Sequence, residues 1–160
     1  MIDFEKMMTA LTQSGVRFIV VGGAAATAHG SSRLTQDLDI VYERSKENIA
    51  TLVKTLSPYQ PYLRGAPSGL PFIWDEETIL KGLNFTLITS LGALDLLGEI
   101  TGGGSYEDLF KDSVKIELFG TECSVLNLKR LIEVKRAAGR IRDLEVIAEL
   151  EALLEESKSD

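Results

Sequence analysis

Two short runs hold the residues best suited to chemistry: Val20-Val21-Gly22-Gly23-Ala24, and Leu34-Thr35-Gln36-Asp37-Leu38-Asp39-Ile40. On a strand, successive side chains alternate faces, so Asp37 and Asp39 point one way while Leu38 and Ile40 point into a core. Two carboxylates this close repel unless a cation joins them. Hard divalent ions such as Mg²⁺ or Mn²⁺ suit that all-oxygen setting and complete their shell with substrate phosphates. The glycine pair serves the phosphate side of such a site. Gly22 and Gly23 let backbone N–H groups come close, at the start of a short helix whose dipole favours negative charge. The plainer alternatives are a solvated strand end for the two aspartates and close helix packing for the two glycines.

The elements that must position these residues follow from hydrophobic spacing. Phe4, Met7, Met8 and Leu11 mark one face of a helix that Gly15 ends. Val16 to Val21 is a nearly continuous apolar run, which fits a strand buried on both faces. Alanines from Ala24 to His29 favour a short helix, Leu38 to Tyr42 a second strand, and Lys46 to Leu56 an amphipathic helix. Pro58, Pro61, Pro67 and Pro71 are the only prolines. Together with Gly65 and Gly69 they mark an irregular segment, a natural place for a lid that faces substrate. A short helix at Glu76 to Lys81, a strand at Asn84 to Thr89 and an apolar run at Leu94 to Leu97 come next. Gly102 to Gly104 read as a mobile loop. Lys115 to Leu118 and Glu122 to Leu126 form a hairpin. Asn127 caps a helix running to Ala138, Gly139 breaks it, and a last helix spans about Ile141 to Glu156. Strands and helices mix without strict alternation, which predicts an α/β or α+β fold with a mixed central sheet flanked by helices and a C-terminal helical pair.

Composition bounds the function. The 160 residues, 44% hydrophobic and 26% charged, suffice for one domain, with about 1–126 as a sheet core and about 127–156 as C-terminal helices. A net charge of −7 opposes sequence-independent binding to a long polyanion. The longest apolar stretch, Phe18 to Ala28, falls well short of the roughly 20 residues that cross a bilayer, so no membrane association is expected. A lone cysteine, Cys123, is expected to sit in the core, and it fits a reducing cytoplasm. His29 has no second histidine to work with and reads as a capping or packing residue. Trp74 reads as packing, with stacking on a base as the alternative. Arg33 either clamps a triphosphate or pairs with Asp37. Lys135 lies on the apolar side of its helix, so it either turns toward a cleft and a phosphate or is neutralised by Asp143.

The glycine pair after a strand, the spacer from Ala24 to Gln36 and the Asp37-Leu38-Asp39 element resemble the nucleotidyltransferase superfamily that includes DNA polymerase beta. The whole run from Gly22 to Ile40 looks like the minimal bacterial members related to abortive-infection toxin–antitoxin systems. Leu131 to Arg140, followed by Arg142-Asp143-Leu144, is similar to the lysine-bearing and Arg-Asp-bearing helices of that group. The resemblance implies transfer of a nucleoside monophosphate from a nucleoside triphosphate such as ATP to a hydroxyl of RNA, tRNA included, protein or a small molecule. Asp37 and Asp39 would hold Mg²⁺ or Mn²⁺, Gly22, Gly23, Arg33 and Lys135 would bind the nucleotide, and a third carboxylate would activate the acceptor. Asp95 is the candidate, because an isolated acid within Leu94-Asp95-Leu96 needs a reason to be there; Glu99 is the substitute. Many relatives carry a serine in the glycine pair where this chain has Gly23 and Ala24, and an acid where it has Val146. Those departures support an alternative from another class, a non-catalytic subunit that binds nucleotide or a cognate toxin or antitoxin protein.

Overall fold

A computed structural model describes residues 2–158. Asp3 caps helix α1 (Phe4–Gln13), whose buried stripe is Met7, Met8 and Leu11. Strand β1 (Phe18–Val21) runs directly into helix α2 (Gly22–Ala28). Strand β2 (Asp37–Tyr42) and helix α3 (Lys46–Leu56), capped by Ser45, complete the first third. Next come the two-residue strand β3 (Tyr62–Leu63), helix α4 (Glu76–Lys81), strand β4 (Phe85–Thr89) and strand β5 (Gly92–Leu97). A small hairpin of β6 (Glu99–Ile100) and β7 (Gly104–Ser105) precedes helix α5 (Tyr106–Phe110). Strands β8 (Ser113–Leu118) and β9 (Thr121–Leu126) and helices α6 (Leu128–Ala138) and α7 (Asp143–Lys158) finish the described chain.

Seven strands form one mixed sheet in the order β3-β4-β5-β2-β1-β9-β8. β2 pairs antiparallel with β1 and parallel with β5, and β1 pairs parallel with β9. Every residue of β1 is buried, as its unbroken apolar run predicts, so this central strand is covered on both faces. Leu38 and Ile40 of β2 and Leu94 and Leu96 of β5 join Met7, Met8 and Leu11 in the core. Burial of those leucines and isoleucine turns Asp37, Asp39 and Asp95 to the other face.

Local chemistry explains most boundaries. In the β8–β9 hairpin Phe119 and Gly120 both have positive φ, 52° and 82°. That is the geometry of a two-residue turn matched to strand twist. Asn127 caps α6 by accepting from Arg130 N, and Gly139 ends it in the left-handed region. Two expectations need correction, and two elements had no expectation. Gly102 to Gly104 are not a free loop: they turn the β6–β7 hairpin, and a Cβ on Gly102 would lie 2.2 Å from Ala137 Cβ on α6. α5, held by a capping box between Ser105 and Asp108, and the short β3 were not legible in the spacing. The last helix begins at Asp143, two residues later than expected.

Candidate active site

Register alone brings the third acid to the first two. In the parallel β2–β5 pair Asp39 stands opposite Asp95 and Asp37 opposite Ala93. One carboxylate oxygen from each of Asp37, Asp39 and Asp95 lies within 4.8 Å of the other two. The structure therefore places Asp95 in the triad, and it puts Glu99 on β6, exposed and outside it.

The glycine pair is shaped by the same acids. β1 and β2 align Val21 with Asp39, so Gly22 begins its turn beside that carboxylate. A Cβ on Gly22 would fall 2.1 Å from Asp39 Oδ2, and its φ of +64° is one that L side chains rarely adopt. A Cβ on Gly23 would fall 2.8 Å from Thr35 Oγ1, whose hydroxyl donates to Asp37 O at 2.9 Å. Both glycines thus allow the aspartate strand to close against the start of α2.

Crowding three carboxyls has an electrostatic consequence. Burial, reinforced by contact with Asp95 and by the charge of Asp37, pushes Asp39 up to about 8. Asp37 is also raised, first by burial and then by the charge of Asp95, with Arg64 opposing. Asp39 Oδ1 is buried without a hydrogen-bond partner among the described residues. A buried carboxylate oxygen left unmatched in this way calls for a cation.

Beside Asp39 lies a cleft of about 400 Å³, lined by Gly22 and Asp39 from the sheet side, Leu131 and Lys135 from α6, and Glu99 and Arg140 from neighbouring segments. Lys135 faces this cleft. Its amine is depressed by burial, while Asp143 and Asp39 both pull it back up. Asp143 itself pairs with Arg140, with Nε to Oδ2 at 2.8 Å.

Arg33 is not brought to the triad. Its guanidinium lies against α7, 3.6 Å from Glu145 and 3.5 Å from Glu149, rather than against Asp37. The plainer readings of three other residues are met. His29 Nε2 lies 2.8 Å from Leu126 O, Trp74 Nε1 donates to Val53 O, and Cys123 is buried. Arg64 was missed. It follows β3 in the proline-rich segment, its backbone N–H donates to Thr86 O at 3.0 Å, and Thr86 is the β4 partner of Asp95. Its side chain donates to Asp37 at 3.4 Å and to Asp95. The signal available was an arginine inside the one segment expected to face substrate.

No model of a known protein family matches the chain, and no curated protein matches its sequence. Among solved structures it is similar to that of a "putative nucleotidyltransferase (TM1012)" from Thermotoga maritima, with a TM-score of 0.59 over 93% of this chain and 94% of that one, at 17% identity. At that identity the likeness is one of fold. With its mixed central sheet, flanking helices and C-terminal helical pair, the chain has a nucleotidyltransferase fold.

Proposed function

We propose that the protein is a metal-dependent nucleotidyltransferase that moves a nucleoside monophosphate from a nucleoside triphosphate to a hydroxyl and releases pyrophosphate. The observation that carries this reading is the convergence of Asp37, Asp39 and Asp95 on one point of a nucleotidyltransferase fold. The donor set fits a hard divalent ion: three carboxylates, only oxygen ligands, and a buried Asp39 oxygen without a partner. Asp37 and Asp39 would hold Mg²⁺ or Mn²⁺, which when bound supplies charge stabilisation for the phosphates and alignment of the attacking hydroxyl.

The chain's own residues supply the rest. Asp95, held across the sheet from Asp39, accepts the proton of the acceptor hydroxyl. Gly22 and Gly23 offer backbone N–H groups where relatives of this kind use a serine. Lys135, on the cleft wall, neutralises phosphate charge. The acceptor is an RNA, protein or small-molecule hydroxyl, in the cytoplasm. A role within a toxin–antitoxin pair, with a cognate partner protein, rests on the sequence resemblance in both the Gly22–Ile40 run and α6. Among the described residues, no helix is long and apolar enough to cross a membrane.

The test is product formation. Purified protein is incubated with each of the four ribonucleoside triphosphates, Mg²⁺ or Mn²⁺, and total cellular RNA or protein, with labelled transfer and pyrophosphate as readouts. Wild type should label an acceptor, and Asp39→Ala should reduce the rate by at least about 100-fold, as loss of a metal-holding carboxylate does. Equal labelling by both proteins would refute the reading. Metal-dependent nucleotide binding without transfer would favour the second reading, a non-catalytic subunit, for which the absent serine at Gly23-Ala24 speaks.

A further inference from the structure

Arg64 spans two of the three carboxylates: Nη1 donates to Asp37 Oδ2 at 3.4 Å and Nη2 to Asp95. Among the described residues its Nε is buried without a hydrogen-bond partner, so there the guanidinium is held by the acids and not by a wider polar network. The backbone that carries it is lightly attached. β3 contributes only Tyr62 and Leu63 to the sheet, and the next residues turn through Gly65 and Gly69 at φ of 80° and 94°. The segment closes mainly on itself. Tyr62 OH donates to Pro67 O at 2.8 Å and accepts from Leu70 N at 3.1 Å, while Leu70 and Ile73 are exposed.

A guanidinium and a hard divalent ion compete for the same carboxylate oxygens, because each needs them in its immediate contact shell. We propose that Arg64 is the resident counter-ion of the triad, displaced when a divalent metal ion binds, and that this displacement frees the Arg64–Phe72 segment from the sheet. The inference rests on the reading of Asp37, Asp39 and Asp95 as a metal site. Arg64 acts as a positioning residue. It holds Asp37 and Asp95 together before metal arrives, and it makes metal loading the event that moves the segment nearest to them. Arg33 is a natural contrast, since its two acids lie on α7 and are outside the triad.

The experiment uses the full chain and Mn²⁺ alone. Manganese affinity is measured by paramagnetic resonance for wild type, Arg64→Gln and Arg64→Lys, and amide hydrogen exchange of residues 62–72 is followed with and without Mn²⁺. Arg64→Gln should bind Mn²⁺ about tenfold more tightly, with Arg64→Lys in between. In wild type, Mn²⁺ should speed exchange at Arg64 and Leu70. In Arg64→Gln those amides should already exchange fast and respond little to the metal. Folding of each variant is checked by exchange protection in β1 and β9, to which no hydrogen bond runs from residues 62–72 among the described residues. Bound Mn²⁺ with unchanged affinity in Arg64→Gln, or with no change at residues 62–72 in wild type, would overturn the counter-ion proposal and leave the metal site standing. Absence of Mn²⁺ binding in all three proteins would overturn both.

Discussion

Asp39 carries two constraints that pull against each other: it is more deeply set than Asp37, and it lies where a cation is needed. With its folded value raised from 3.8 to about 8, the folded protein holds a proton that the unfolded chain has released. Between those two pH values the unfolded state therefore binds fewer protons, and stability must fall as pH rises. We expect metal-free protein to lose denaturant resistance between pH 4 and 8, and Asp39→Asn to flatten that slope; an unchanged slope in the variant would remove Asp39 as its source. Divalent metal has to displace the same proton. Its affinity should rise up to about tenfold per pH unit below 8 and level off above it. Gly22 is the second residue on which the site depends. Gly22→Ala adds a Cβ 2.1 Å from Asp39 Oδ2 at a φ of +64°, so it should cost about 1–3 kcal/mol and abolish Mn²⁺ binding. Chemical denaturation and metal titration check the two halves of that expectation separately. The signals for Gly22, Asp37 and Asp39 were local, and spacing on two strands sufficed to read them. Asp95 was legible for a different reason, as a charged residue that an apolar strand does not tolerate without a partner. Arg64 was not legible, because its contacts depend on how β3 lands on the sheet edge.

At the scale of elements, the β1–β2 pair is fastened at the end away from the triad. Asn48, buried on α3, accepts from Arg17 N at 2.7 Å and donates to Arg17 O at 3.0 Å and Glu43 O at 2.8 Å. It joins the approach to β1 with the exit of β2 and so holds the register that sets Val21 against Asp39. Asn48→Ala leaves the part-buried Arg17 N and Glu43 O without these partners, while Arg17 O keeps Glu43 N at 3.1 Å, and should destabilise the protein by about 1–3 kcal/mol, measured by urea unfolding; a loss under about 0.5 kcal/mol would show that water replaces the lost bonds. Elements with strong periodicity or caps, such as α1, α3 and α6, were readable because local energetics decide them. β3 and the β6–β7 turn were not. A two-residue strand carries no period, and Gly102 is required by its approach to Ala137 on a distant helix. The same applies to Arg33, whose acids lie more than a hundred positions along the chain.

For the whole molecule, the site draws on both ends of the chain: the sheet supplies the acids, and α6 supplies Lys135 across the cleft. Ligand that bridges the two should stabilise the protein as a unit. A nucleoside triphosphate with Mg²⁺ at about 100 times its dissociation constant adds roughly 2.7 kcal/mol, or several degrees in Tm for a chain of this size. We expect that shift in wild type and its loss in the double Asp37→Ala/Asp39→Ala variant, by differential scanning calorimetry. A shift that survives in the variant would move the nucleotide site away from the triad.

The sheet order has a further consequence for how the protein comes into being. The central strand β1 is made early, yet one of its two neighbours is β9, paired at Val20 and Val125. The acids meet only after β5 joins β2 in parallel, and long-range parallel pairing is slow to form. Lys135 arrives later still. A chain emerging from the ribosome therefore holds Asp37 and Asp39 long before it holds a complete site, and any transfer activity is withheld until α6 has followed the sheet out.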